Sequence, residues 1–159
     1  KQDRDLPLRH TVATLAYRAA KTIRGAPRDF SGFRPADGSR SAGEILAHMC
    51  DLMDWALSQV RGQEKWRNSK PRGWDEDSAR FFTALNAFDE YLASDAALHV
   101  TPETVFQGAV ADALTHTGQL AMLRRLAGAR VRGEDYSKAE IEAGRTGADQ
   151  HKAVSEFGR

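Results

Sequence analysis

Residues 111–128 read ADALTHTGQLAMLRRLAG, and the spacing of their apolar members predicts a helix. Extended backwards, the stripe is Val105, Ala109, Asp112, His116, Leu120 and Leu123, at three- and four-residue intervals. Residues at i and i+4 share a helix face. Asp112 and His116 therefore stand one turn apart among groups expected to face a core. Burying a charge is costly unless it is paired or bound to a metal. A second apolar helix is predicted over EILAHMCDLMDWA, residues 44–56, with His48 on an inner stripe of Ile45, Met49, Leu52, Trp55, Ala56 and Gln59. Two imidazoles and one carboxylate converging in a core read as three ligands to a divalent cation, with coordination positions left open. The same spacing also fits a buried hydrogen-bonded Asp–His pair, or a helix rotated so that both residues are wet.

Working outward, caps and periodicity predict four helices and no sheet. The first runs from about Pro7 to Arg24 on Leu8, Val12, Leu15, Ala19 and Ile23, and Gly25 with Pro27 ends it. The second opens on the capping box Ser41-Ala-Gly-Glu44, where hydroxyl and carboxylate satisfy free amide donors reciprocally. It stops near Gly62. The third starts near Asp75 and carries Phe81, Phe82, Leu85, Phe88 and Leu92. The fourth opens on Thr101-Pro102-Glu103, a capping hydroxyl before a proline at the first helical position, and Gly128 supplies its left-handed stop.

Four amphipathic helices in 159 residues predict an all-α four-helix bundle forming a single domain over residues 1–159. The bundle occupies about residues 6–128. The connectors 25–40 and 61–74 are long enough to travel the length of a bundle, so at least one neighbouring pair need not be antiparallel. The tail, residues 129–159, is expected to pack back through Tyr136, Ile141 and Phe157, with one helical turn near Ser137–Glu142.

The net charge of +1 gives no electrostatic argument for nucleic acid or an anionic membrane. No apolar run approaches the ~20 residues that span a bilayer. Cys50 is the only cysteine, which excludes an internal disulfide and a multi-cysteine zinc site and agrees with a cytoplasmic protein. It reads as a small core thiol. No Glu-x-x-His occurs, so a carboxylate-bridged di-iron bundle is not expected. A haem held by His48 and His116 would leave Asp112 unexplained. Asp51, three residues past His48, is within reach of the same site, while the commoner place for Asp51 and Asp54 alike is the solvated side of their helix. The stretch RGQEKWRNSKPRGW reads as a solvated connector with its tryptophans folded onto the bundle.

The segments DALTHTGQLAMLRRLAG and ILAHMCDLMDWA resemble the two ligand-bearing helices of the DinB/YfiT-like family of metalloenzymes. In that family two ligands four residues apart precede a Gly-Gln-Leu pattern, here Gly118-Gln119-Leu120. The resemblance implies an up-down-down-up bundle with a C-terminal extension, and metal ligation by His48, Asp112 and His116. The family usually presents three histidines, and Asp112 stands where one of them would be. A carboxylate there makes the site harder and more oxygen-rich. Zinc or nickel is the expected ion, with manganese or iron as further candidates. The implied chemistry is activation of a bound water, as in a hydrolase, or of a small thiol, as in a thiol-dependent transferase or isomerase. The substrate would be a small molecule, and a homodimer is compatible with the family. Asp51, Tyr136 and Gln119 are expected around the ligands, and Arg124 and Arg125 as anchors for the carboxylates of a thiol cofactor. The alternative is a non-catalytic stress or interaction protein with a structural or vestigial metal site.

Overall fold

A computed structural model describes residues 2–158. Four helical rods account for most of the chain: α1 (Gln2–Ile23), α2 (Ala42–Val60), α3 (Trp74–Ala93), and a fourth in which α4 (Pro102–Val105) and α5 (Ala111–Leu126) are joined by a π-helical turn, Phe106–Val110. The boundaries follow local chemistry. Ser41 Oγ accepts from Glu44 N at 3.1 Å while the Glu44 carboxylate accepts from Ser41 N at 3.4 Å, which closes the predicted capping box. Thr101 caps the fourth rod through Thr104 N at 3.2 Å, and Gly128, at φ +80°, terminates it. One start differs from expectation. The first helix begins at Gln2, with Pro7 inside it and Asp5 buried just before the proline. At the sixth position of the helix a proline forfeits one backbone hydrogen bond and crowds the carbonyl four residues before it, and the rod carries that cost without a break.

α1 packs on α3 and α5, and α2 packs on the same two, so α1 and α2 lie diagonally across the bundle. Contacts give the directions. Cys50 Sγ meets Asp77 O and Asp54 meets Arg80, so α2 and α3 run the same way. Trp74 Nε1 reaches Ile23 O while Arg9 pairs with Asp89, so α1 and α3 are opposed. Trp55 lies against Gly108 while His48 lies against Asp112, so α2 opposes the fourth rod. The core between them holds Leu15, Leu46, Met49, Met53, Phe81, Leu85, Phe88 and Leu120, all fully buried. No described helix is long and apolar enough to cross a membrane.

The tail straps back onto α1. β1 (Gly133–Glu134) pairs antiparallel with β2 (Glu156–Phe157), the one ladder among the described residues, where no sheet was expected. A 3-10 turn, Tyr136–Lys138, stands where a helical turn was predicted. Glu134 is buried and accepts from Tyr17 Oη at 2.5 Å and Lys21 Nζ at 2.6 Å. Tyr136 packs edge-on against Tyr17 and under Arg18. Phe157, expected to anchor the tail, stays exposed beside Gly133.

Candidate metal centre

His48 from α2 and the Asp112–His116 pair from α5 meet at one side of the bundle. Their ligand atoms lie within 4.8 Å of one another. His48 Nε2 is 3.4 Å from Asp112 Oδ2, and His116 Nε2 is 3.4 Å from the same oxygen. The two rings meet edge to face, with centroids 4.7 Å apart. The separations are long for hydrogen bonds, whose mode is about 2.9 Å. They match the spacing of two ligands of a tetrahedral ion, roughly 3.4 Å for bonds of about 2.0–2.1 Å.

His116 is oriented by its own helix. Its Nδ1 lies 2.7 Å from Gln119 Oε1, one turn on. An amide oxygen only accepts, so the imidazole proton sits on Nδ1, and the Nε2 lone pair faces Asp112. In that tautomer Nε2 carries a lone pair, and a cation between it and the Asp112 carboxylate would satisfy both groups. A histidine whose remote nitrogen donates to a neighbouring carbonyl is also the usual arrangement for a metal ligand. His116 is buried and His48 nearly so, whereas the Asp112 side chain is 45% exposed. Burial pulls the His48 imidazole below its ordinary range. Asp112 opposes this, and His116 and Arg40 reinforce it. A neutral imidazole is the form that binds metal.

The exposure of Asp112 corrects the straight-helix reading, which put it among core groups. The π turn at Phe106–Val110 takes up an extra residue and rotates the remainder of the rod. Val110 and Ala113 then fill the core, and the Asp112 side chain is left half-exposed.

No family model, curated protein or solved structure matches this chain. The site therefore stands on its geometry.

The other residues singled out from sequence divide sharply. Gln119 is at the site. Asp51 is not on the solvated side: it is buried, accepts from Ser69 N and Oγ at 2.7 Å each, and pairs with Arg80 at 2.7 Å. Asp54 completes the Arg80 pair at 2.9 Å. All these bonds turn Asp51 towards α3 and the connector, leaving no oxygen for an ion near His48. Tyr136 lies on α1, with the tail. Arg124 is buried and donates to the carbonyls of Thr22, Arg24, Gly25 and Ala129, so it ties off the end of α1. Arg125 is exposed at the end of the rod. Cys50 is fully buried, and burial pushes its thiol up to about 12. It takes no part in chemistry near neutral pH.

The tryptophans of the second connector were expected to fold onto the bundle; the contact of Trp66 with the site was not. Trp66 folds back so that its ring stands edge-on to His48 at 5.5 Å and to Trp55 at 5.7 Å. Arg40, from the first connector, borders the cleft on both its His48 and its His116 side. For Trp66 the signal in the chain was the alternation of basic and aromatic residues in RGQEKWRNSKPRGW, and nothing in residues 25–40 singles out Arg40.

Proposed function

We propose that this chain is a metal-dependent enzyme of the DinB/YfiT-like kind, holding one divalent ion through His48, Asp112 and His116. The observation that carries the reading is the pair of 3.4 Å separations from two imidazole nitrogens to one Asp112 oxygen. The helix directions support it, because α2 and α3 run together against α1 and the fourth rod, as an up-down-down-up bundle requires.

An ion bound there supplies Lewis acidity, lowering the pKa of a coordinated water or thiol so that a nucleophile exists near neutral pH. The protein's part is to keep His48 neutral by burial, and with two imidazole ligands a single carboxylate leaves a divalent centre net positive. Gln119 fixes the proton of His116 on Nδ1. Trp66 covers one side of His48 and limits access of bulk water. The half-exposed Asp112 leaves the outer side open to a small substrate, which favours a reacting site over a purely structural one. Zinc and nickel suit the imidazoles, and the carboxylate extends the range to manganese and iron. The reaction class is hydrolysis through water, or transfer or isomerisation through a small thiol, in the cytoplasm.

Elemental analysis of protein purified without chelator or metal-affinity tag tests the reading, followed by ester-hydrolysis and thiol-transfer panels. About one equivalent of metal per chain is expected, with an activity that chelation removes. Protein that neither carries nor takes up a divalent ion would overturn it.

A further inference from the structure

The sequence pointed to Arg124 and Arg125 as anchors for an anionic cofactor. The fold commits Arg124 to the carbonyls that end α1. The cations that do face the centre come from the two long connectors. A cleft of about 690 Å³ opens beside His48, and Arg34, Arg40 and Lys70 border it. A second hollow of about 330 Å³ lies on the other side of the centre against His116, and Arg40 borders that one too. Arg40 therefore stands astride the approach to the ligand triad.

The charges in this cleft are not balanced. Its one bordering carboxylate, Glu44, is already taken: it pairs with Arg34 and accepts from Ser41 N in the capping box. Arg40 and Lys70 have no hydrogen-bond or ion-pair partner among the described residues. Two free cations then face a centre that is itself net positive once a divalent ion is bound. Like charges gathered around a cleft of low-dielectric walls raise the local concentration of anions.

Nor are the cations on loose loops. Ser69, beside Lys70, is held by two 2.7 Å bonds to buried Asp51. The first connector is seated by the bond from Ala42 N to Phe33 O at 3.0 Å. It also rests on Gly43, where a Cβ would meet Ser31 Oγ at 2.2 Å. Buried Phe30, packed edge-on against Trp74, anchors its middle.

We propose that this cleft is the substrate subsite and selects a small molecule carrying an anionic oxygen group, held by Arg40 and Lys70 while another part of the molecule reaches the ligand triad. The proposal rests on the metal reading above. Arg40 supplies a planar fork suited to two parallel hydrogen bonds with a carboxylate or phosphate, and Lys70 a compact charge.

The test uses the full chain loaded with cobalt(II), whose visible absorption reports ligation, at pH 7.5. Two probes of equal length are titrated: 3-mercaptopropionate and its neutral amide, 3-mercaptopropionamide. The acid is expected to bind about tenfold more tightly than the amide, the usual worth of a hydrogen bond to a charged group. In Arg40→Gln/Lys70→Gln, both exposed positions, the preference should fall to within about twofold while the amide binds as before. Equal affinities in the wild type, or a preference that survives the double substitution, overturn the anion subsite with the metal reading intact. Absence of a cobalt spectrum overturns the metal reading, and the subsite with it.

Discussion

His48 and Asp51 lie three residues apart on α2 and end in opposite kinds of polar site. Around Asp51 every contact is short. Ser69 and Arg80 approach to 2.7 Å, Asp54 joins at 2.9 Å, and the Asp51 side chain is 1% exposed. Around His48 the contacts are long, the carboxylate is half in water, and two imidazole nitrogens face one carboxylate oxygen at 3.4 Å. The first arrangement is nearly closed within the protein: both Asp51 oxygens are bonded, and within it only Arg80 Nη1 is left without a partner among the described residues. It pins the second connector onto the bundle. The second has the spacing of a cation site. Burial alone does not mark a functional site. The two differ in how far the carboxylate oxygens are already satisfied by short bonds from protein donors.

The largest effect should come from breaking the closed site. Asp51→Ala leaves Arg80, 15% exposed, with only the rim carboxylate of Asp54, and frees Ser69. Removing one partner of a buried ion pair costs about 3–5 kcal/mol. Urea unfolding should show a loss of that order, whereas Asp112→Ala in the metal-free protein should cost less than about 1 kcal/mol. Comparable losses from the two would erase the contrast. Next in size is the support of the open site. Gln119→Ala frees the His116 ring and should weaken zinc binding by about 10–100-fold in competition with a chromophoric chelator. An unchanged affinity would mean that Gln119 is incidental.

Chelation should have a modest effect on the fold, because the apolar core does not pass through the ligands. A melting temperature about 5–10 °C lower is expected, with helical circular dichroism intact and any activity lost. Collapse of the helical signal would make the metal structural. The smallest effect is a pH dependence. His48 is held below its ordinary value of 6.5 by burial, so the unfolded chain binds this proton more readily than the folded one. Stability of the metal-free protein is therefore full above about pH 6.5 and falls as the pH drops below it. His48→Gln should flatten that part of a pH series of melts. A slope that persists in the variant would assign it to another group.

The sequence made legible what local chemistry decides. Ser41 with Glu44, Thr101 with Pro102, and Gly128 are signals read within four residues, and they mark helix ends where the fold has them. The i, i+4 relation of Asp112 and His116, and the apolar setting of His48, sufficed to name the three residues that come together. The features that stayed hidden depend on distant partners. Asp51 looks like a solvated carboxylate until Arg80 and Ser69 arrive from elsewhere. Arg124 looks like a free cation until the end of α1 is beside it. The exposure of Asp112 depends on a π turn that no residue in FQGAV announces. Arg40 and Lys70 reach the cleft on connectors whose paths are set by Asp51, Gly43 and Phe30, and the tryptophans expected to fold onto the bundle gave no sign that Trp66 would meet His48.

The central claim is that His48, Asp112 and His116 form one ion site, and isothermal titration of zinc and nickel into metal-free protein tests it most directly. The wild type should bind one equivalent, and Asp112→His should do so too, with a stronger preference for the softer ion. His116→Ala should show no stoichiometric binding while melting as a folded helical protein. Equal binding by the wild type and His116→Ala would contradict the assignment.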